Sequence, residues 1–365
     1  MILDDTFKGK TVLITGHTGF KGTWLTAWLN KLGAKVTGIS LGVATSPSHF
    51  DSFKDLDYVE DLVLDIRDRK SLKKVVNEVQ PDFIFHLAAQ ALVRDSYVNP
   101  VDTWETNSIG TLNLLESLRE LDKESTAVLI TSDKCYNNKE WVWGYKEDDE
   151  LGGPDPYSAS KGVAELIIRS YVKSFFPQDI TKVRIASARA GNVIGGGDWS
   201  KDRIVPDVIK AWQNNKTVEL RSPHSTRPWQ HVLEPLSGYL NLAQRLNEDI
   251  NLHGESFNFG PLAQQNYSVS DLVNFMSKQL KGLSWKDVSD QDQGPYESGL
   301  LKLNCDKALS LLNWHSVMDF EKTVDFTAEW YNEFYKDNQK AADVTSKQID
   351  SFCKLANKQQ IKWSM

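Results

Sequence analysis

The chain has 365 residues, 40% hydrophobic and 25% charged, with 42 basic and 49 acidic side chains and a formal charge of −7. This ordinary apolar content excludes a disordered or collagen-like chain, and mild acidity argues against a nucleic-acid binder, which carries a basic field. No stretch approaches the roughly 18 apolar residues of a membrane span, and the opening MILDDTFKGK lacks the basic-then-apolar order of a signal peptide, so a soluble cytoplasmic protein is expected.

Residues 10–15 (KTVLIT) form a short apolar run that stops at a glycine and reads as a buried parallel strand. Residues 20–32 place Phe20, Trp24, Leu25, Trp28, Leu29 and Leu32 at helical spacing, with Gly33 positioned to end the helix. Strands follow over 35–39 and 58–64. Residues 71–79 read as a helix capped by Ser71, and Pro81 punctuates its end. Then come a strand over 83–87, a long helical region over 101–121, a strand over 126–131, a helix over 158–175 and a strand over 182–188.

Strands alternating with helices at this rhythm predict βαβ units and an α/β, Rossmann-like, doubly wound parallel sheet. After about residue 190 the rhythm breaks at GNVIGGGDW, a loop signal, and shorter elements follow. The expected organisation is a dinucleotide-binding domain over 1–190, rejoined by a segment near 232–262 through a strand over 255–259. A smaller mixed α/β substrate domain spans 191–330, and a terminal helix and tail span 331–365.

The first strand runs into Gly16-His17-Thr18-Gly19-Phe20-Lys21-Gly22 and then a helix. Glycines allow the tight turn and let the backbone approach a pyrophosphate, while the helix N-terminus supplies N–H groups and a favourable dipole. Three spaced glycines alone are weak evidence; their place between the first strand and the first helix makes them strong. The acid that usually grips the adenosine ribose about 20 residues on is replaced by Ser40. No arginine stands there to read a 2′-phosphate, so NAD is expected over NADP. Asp65, followed by Ile66, ends a strand and is positioned to accept from the adenine amine.

Tyr157 and Lys161 are four apart at the start of a helix, hence one turn apart on one face. A nearby ammonium stabilises phenolate, which predicts a lowered tyrosine pKa and a base able to deprotonate a sugar hydroxyl. Chance alone supplies roughly one Tyr–basic pair at this spacing, so the weight lies in what precedes it. The strand ending Ile130-Thr131 runs into Ser132-Asp133-Lys134-Cys135-Tyr136, and residues past the carboxyl ends of parallel strands face the ligand crevice. Cys135, Cys305 and Cys353 form no CxxC pair and the seven histidines no HxxxH pair, so neither a disulfide framework nor a bound metal is expected.

These motifs, together with HLAAQ at 86–90 and Thr106-Asn107, resemble the extended short-chain dehydrogenase/reductase family over roughly residues 8–330. Within it, GHTGFKG, TSDKCY, GNVIGGGDW and RPWQHVLEPL look like the CDP-glucose 4,6-dehydratases. The resemblance implies bound NAD, a nucleotide-sugar substrate (CDP-glucose) and a lyase reaction that releases water through internal hydride transfer. It implies Tyr157 as base at O4 with Ser132 and Lys161 beside it, Lys134 as base at C5 and Asp133 as acid at the C6 hydroxyl.

The same resemblance places His17, Phe20, Lys21, Ala88, Ala89, Gln90, Thr106, Thr131 and Ala190 along the cofactor. Asn192, Arg203, Arg221 and Arg227 fall on the substrate, the last as a pyrophosphate clamp. Trp199 and Trp229 are expected near the nucleotide or, more commonly for tryptophan, in the core. A homodimer or homotetramer built through a four-helix interface of 101–121 and 158–175 is also implied, as is deoxysugar supply for bacterial surface polysaccharide. The alternatives are another nucleotide-sugar dehydratase or 4-epimerase on the same scaffold, and a non-catalytic NAD-binding scaffold. Asp133-Lys134 argues for dehydration, since an epimerase needs no acid at C6.

Overall fold

The computed structural model describes residues 2–56, 58–291, 299–336 and 341–365. Seven parallel strands form the central sheet: β1 Thr11–Thr15, β2 Lys35–Ser40, β3 Glu60–Val63, β4 Phe83–His86, β5 Ser125–Ile130, β6 Val183–Ala190 and β7 Ser256–Phe259. Their order is β7-β6-β5-β4-β1-β2-β3. β1 pairs on one side with β2 (Thr11 opposite Lys35) and on the other with β4 (Val12 opposite Phe83). The strand order reverses there, which opens a crevice beyond the carboxyl ends of β1 and β4. β7 pairs with β6, Phe259 opposite Ala190, so a segment from late in the chain completes the sheet edge.

Side chains alternate between the two faces, because the strand period is two. Leu13, Ile84, Ala127, Leu129 and Ile185 pack on one side against α2 Arg69–Val79, α3 Gly110–Leu118 and α4 Pro156–Phe175. Val12, Ile14, Phe83, Phe85, Val128 and Ala186 pack on the other against α1 Phe20–Lys31 and α5 Leu233–Glu248. Three two-stranded ribbons build the smaller region: 193–194 with 230–231, 226–227 with 267–268, and 218–220 with 285–287.

Four local details differ from the sequence expectation. α2 begins at Arg69 and its cap is Asp68, whose carboxylate accepts the Ser71 N–H; Ser71 lies inside the helix. α4 starts at Pro156, capped by Asp155, which puts Tyr157 in its first turn. The region 101–121 is not one regular helix: Pro100–Trp104 and α3 flank a π-helical turn, Glu105–Ile109, an irregularity often found at functional sites.

The terminal segment is also not a solvated tail. After α6 Phe320–Lys336 and α7 Ala341–Lys358, Trp363 is buried, its ring 6.0 Å from Trp28 and 5.8 Å from Phe352. Its apolar payload outweighs the polar composition around it. Among the described residues no helix is long and apolar enough to cross a membrane.

Candidate active site

The turn after β1 is built for close approach. Gly16 has φ +77°, and a Cβ there would lie 2.7 Å from the Ala88 nitrogen; one on Gly22 would lie 2.1 Å from the Gly16 oxygen. The first helical residues, Phe20, Lys21 and Gly22, present N–H groups with no carbonyl one turn earlier inside α1. A crowded glycine cradle at a helix N-terminus fits the pyrophosphate of a dinucleotide. His17 faces away from that cradle: it is fully buried against Gly38 and Phe50, with Nε2 3.0 Å from Asp61 Oδ1. Burial lowers its pKa although Asp61 works in the opposite sense.

Farther along the cofactor crevice, Ser40 accepts the Gly42 N–H at 3.0 Å. Asp65 is chelated by Arg67, whose Nη2 lies 2.7 Å away, and that pairing holds its carboxyl below the usual range. Its lone pairs are therefore shared with a guanidinium in this form. Ile66 is buried against Gly110. Ala88 donates its N–H to Thr15 Oγ1 at 3.2 Å, and Ala89 and Gln90 continue that loop beyond β4. Gln90 spends its side-chain amide on Leu92 O and Thr103 Oγ1, and Asn107 ties the Gln90 backbone to Ser160 on α4. Thr106 lies in the π-helical turn next to that tie.

The chemistry gathers at the carboxyl ends of β5 and β6. The Ser132 hydroxyl donates to Asp133 Oδ1 at 2.9 Å, and Asn192 Nδ2 donates to Asp133 Oδ2 at 3.3 Å. Asp133 is 2% exposed, and a Cβ on Gly191 would sit 1.9 Å from its carboxyl, so the neighbour must be glycine. Lys134 follows in the same short helical turn, half-buried, its N–H capped by Ser132 Oγ.

Tyr157 and Lys161 are both buried on one face of α4. Burial lowers the Lys161 pKa to about 8, with Glu165 pulling upward. The expected lowering of the tyrosine does not hold. Burial pushes Tyr157 up to about 12, while the Ser132 hydroxyl and the Arg203 charge work downward. Desolvating a phenolate outweighs those contacts in this form.

Two expected residues, Lys21 and Arg203, and four that the sequence reading did not name, Tyr239, Asp198, Glu165 and Arg189, complete the constellation. Lys21 reaches in from the first turn, its Nζ 3.4 Å from the Tyr239 hydroxyl of α5. Its pKa falls to about 7 by burial and by Arg203, against the pull of Asp133. Arg203 is held by Asp198 at 3.0 Å and faces Tyr157. Tyr239 and Asp198 come from chain remote from the YxxxK helix, so no local spacing announced them. Glu165 and Arg189, a buried pair at 2.8 Å, lie directly behind the turn. The sequence reading missed Glu165, although its place eight residues after Tyr157 and four after Lys161 puts it on the same helical stripe.

Other expected site residues lie elsewhere. Arg221 follows the short strand 218–220, outside the hydrogen bonds that gather Asp133, Ser132 and Asn192. Arg227 sits on the 226–227 ribbon and donates to Thr226 O at 2.9 Å and Gly299 O at 3.3 Å. Thr131 is turned behind the site and donates to Glu165, and Ala190 is buried opposite Phe259. Trp199 is half-buried and packs on Trp330 and Phe334 at the edge of the core, and Trp229 is buried in it with its indole N–H on Tyr267 O. Arg94 and Asp95 pair with Asp202 and Lys201, joining the helix 93–98 to the loop that carries Arg203. Among the described residues no cluster of His, Cys, Asp or Glu could hold a metal, and the three cysteines are free.

Residues 13–327 match the family described as GDP-mannose 4,6 dehydratase. The chain is 45% identical over 339 residues to CDP-glucose 4,6-dehydratase of Salmonella typhimurium, covering 92% of this chain and 94% of that relative. It is 29% identical over 289 residues to CDP-paratose 2-epimerase of Salmonella typhi, covering 73% and 83%. Among solved structures, dTDP-glucose 4,6-dehydratase from Bacillus anthracis in complex with NAD superposes with a TM-score of 0.74 at 19% identity, covering 90% of this chain and 98% of that one. UDP-glucuronic acid 4-epimerase from Bacillus cereus, in complex with UDP-glucuronic acid and NAD, gives 0.75 at 21%, covering 89% and 100%. These two establish the likeness of fold.

Proposed function

We infer the activity from one premise: the chain belongs to the GDP-mannose 4,6 dehydratase family, within the extended short-chain dehydrogenases/reductases. On our reading it is an NAD-dependent nucleotide-sugar 4,6-dehydratase. It converts CDP-D-glucose to CDP-4-keto-6-deoxy-D-glucose and water, the substrate named for its 45% identical relative. The observation that carries the dehydratase reading is Asp133, a buried carboxyl that accepts from the Ser132 hydroxyl and the Asn192 amide at the end of β5. An epimerase needs no such acid at C6, and a mere NAD-binding scaffold needs no tyrosine base.

NAD fits the cradle of Gly16, Gly19 and Gly22, with Phe20 and Lys21 at the helix N-terminus and Ser40 and Asp65 farther along the crevice. When bound, it supplies the acceptor and later the donor of one hydride. The chain does the proton work. Tyr157 takes the O4 proton, assisted by Ser132 and by the charges of Arg203 and Lys161. A ketone at C4 acidifies C5, and Lys134 takes that proton and returns it to C5 once C6 has been reduced. Asp133 delivers a proton to the C6 hydroxyl, which leaves as water. Asn192 holds Asp133, and Arg203 stands beside Tyr157 where it meets the substrate.

Water loss from CDP-, dTDP-, UDP- and GDP-glucose, each incubated with the enzyme and NAD⁺, is read by mass spectrometry. Loss from CDP-glucose alone is the expected result. Loss from a different nucleotide sugar overturns the substrate, and loss from none overturns the dehydratase reading.

We further propose a homodimer or homotetramer through the helices of 100–118 and α4. Apolar side chains stand exposed there, among them Val101, Ile109, Leu166 and Phe175. Sedimentation of a Leu166→Glu variant as a lighter species supports that interface; an unchanged profile refutes it.

A further inference from the structure

Behind the catalytic turn lies a second polar cluster that the reaction as described does not use. Glu165 and Arg189 form an ion pair with side chains 2% and 3% exposed. The Glu165 carboxylate accepts from four groups, on β6, β7 and the turn after β5: Thr131 Oγ1, Ser187 Oγ at 2.9 Å, Ser256 Oγ at 3.3 Å and Arg189 Nη2 at 2.8 Å. Arg189 Nη1 donates to the Tyr136 hydroxyl at 2.7 Å and to Glu147 O at 2.8 Å. The Tyr136 hydroxyl donates in turn to Asn258 Oδ1 at 2.8 Å. Thr131 and Tyr136 bracket Ser132, Asp133 and Lys134, so the turn is clamped at both ends by one buried pair.

Burying two charges is costly, and an apolar pair of similar volume commonly stabilises a fold as well. Stability alone therefore gives a weak reason for this arrangement. A stronger one comes from α4, where Tyr157, Lys161 and Glu165 stand one turn apart on a single stripe.

We propose that Glu165, backed by Arg189, is a positioning residue: one carboxylate fixes the turn that carries Ser132, Asp133 and Lys134 and holds the Lys161 ammonium in its charged form beside Tyr157. The clamp acts through the Thr131 and Tyr136 hydroxyls and the charge effect through one turn of helix. Facing Lys161 are Glu165 and Tyr157 from its own helix, Cys135 from the catalytic turn, His86 from the end of β4 and Lys21 from the first turn. Lys21 is a like charge, His86 is buried and neutral, and the buried Cys135 thiol has its pKa raised, which leaves Glu165 as the anion that offsets desolvation of the ammonium. Glu165 is itself ionised: burial works to raise its carboxyl, and Arg189 with the Thr131 and Ser187 hydroxyls outweighs burial and holds it below the ordinary range.

This proposal rests on the dehydratase reading for its kinetic arm only. In that arm, Glu165→Gln lowers kcat at pH 8 about fivefold and moves the alkaline limb of the kcat profile down by about one pH unit, the size of shift an adjacent opposite charge produces. Because Glu165→Gln strands the Arg189 charge, Glu165→Gln/Arg189→Met is the companion variant, its fold checked by circular dichroism. The double variant keeps the displaced limb.

The second arm needs no turnover. In ¹⁵N-lysine-labelled protein, with Lys161→Met identifying the signal, the Lys161 titration midpoint falls by about one unit in both variants. Unmoved midpoints and limbs, with only a lower melting temperature, overturn the proposal and leave the pair structural. A wild-type enzyme that turns over no nucleotide sugar, with the Lys161 midpoint still displaced by Glu165→Gln, fails the dehydratase reading and not this one.

Discussion

The carboxyl edge of the sheet and the helical layer formed by α6, α7 and the terminal turn are buried to a similar degree by opposite means. At the sheet edge, Asp133, Tyr157, Lys161, Glu165 and Arg189 are all nine-tenths or more buried, and polar groups hold one another. In the terminal layer Trp330 stacks on Phe334 at 5.3 Å and Trp363 on Phe352 at 5.8 Å, and aliphatic side chains such as Val324, Ile349 and Ile361 fill the space around the rings. The ring carbons bury area without desolvating a charge, whereas buried charges are retained where a proton has to move. The two regions should therefore answer substitution differently, one in turnover and the other in stability.

The largest separation comes from Tyr157→Phe. Removing the O4 base lowers kcat by about 10²–10⁴-fold, the usual worth of a general base, while thermal stability stays near that of the parent. Turnover within a factor of a few of the parent refutes the assignment.

Trp363→Ala is the converse. Losing a fully buried tryptophan costs about 3–5 kcal/mol, read as a lower urea midpoint, with kcat at 25 °C unchanged. A fall in kcat without loss of stability breaks the contrast between the two regions.

Lys134→Ala sharpens the division within the site. Exchange of the C5 proton with solvent slows by about 10²-fold or more, whereas oxidation at C4 persists in a single turnover. Exchange at the parent rate, followed by deuterium uptake, removes Lys134 from C5.

The smallest effect compares one histidine from each region. His86, between Thr15 Oγ1 and Thr111 Oγ1, and His49, on Thr345 Oγ1, are both held near pKa 3 by burial. A folded pKa below the unfolded value of about 6.5 contributes stability that is present above pH 6.5 and lost as pH falls toward 3. Each histidine then costs about 1 kcal/mol between pH 6.5 and 5.5. Urea midpoints measured across that interval should fall, and a flat response shows that the rings are not buried neutral.

Much of this was legible residue by residue. The GHTGFKG turn announced itself because only glycine tolerates the backbone contacts at Gly16 and Gly22. Tyr157 and Lys161 were found because a helix makes i,i+4 spacing into adjacency. The cap of α2 was misread by three residues, because Asp68 and Ser71 are both good caps and only backbone geometry chooses between them. The tyrosine pKa was misjudged because sequence shows the neighbouring ammonium and not the depth of burial.

The sequence by itself determined the parallel sheet, the phosphate turn and the strand end that bears the acid and bases, since local periodicity and turn chemistry encode all three. Only the tertiary structure decided that Lys21 meets Tyr239 and that Arg203 faces Tyr157. It also decided that Glu165 binds β6, β7 and the turn after β5 at once and that the polar C-terminus buries Trp363. Those contacts join segments far apart in the chain, and they follow from which faces the packed layers bring together.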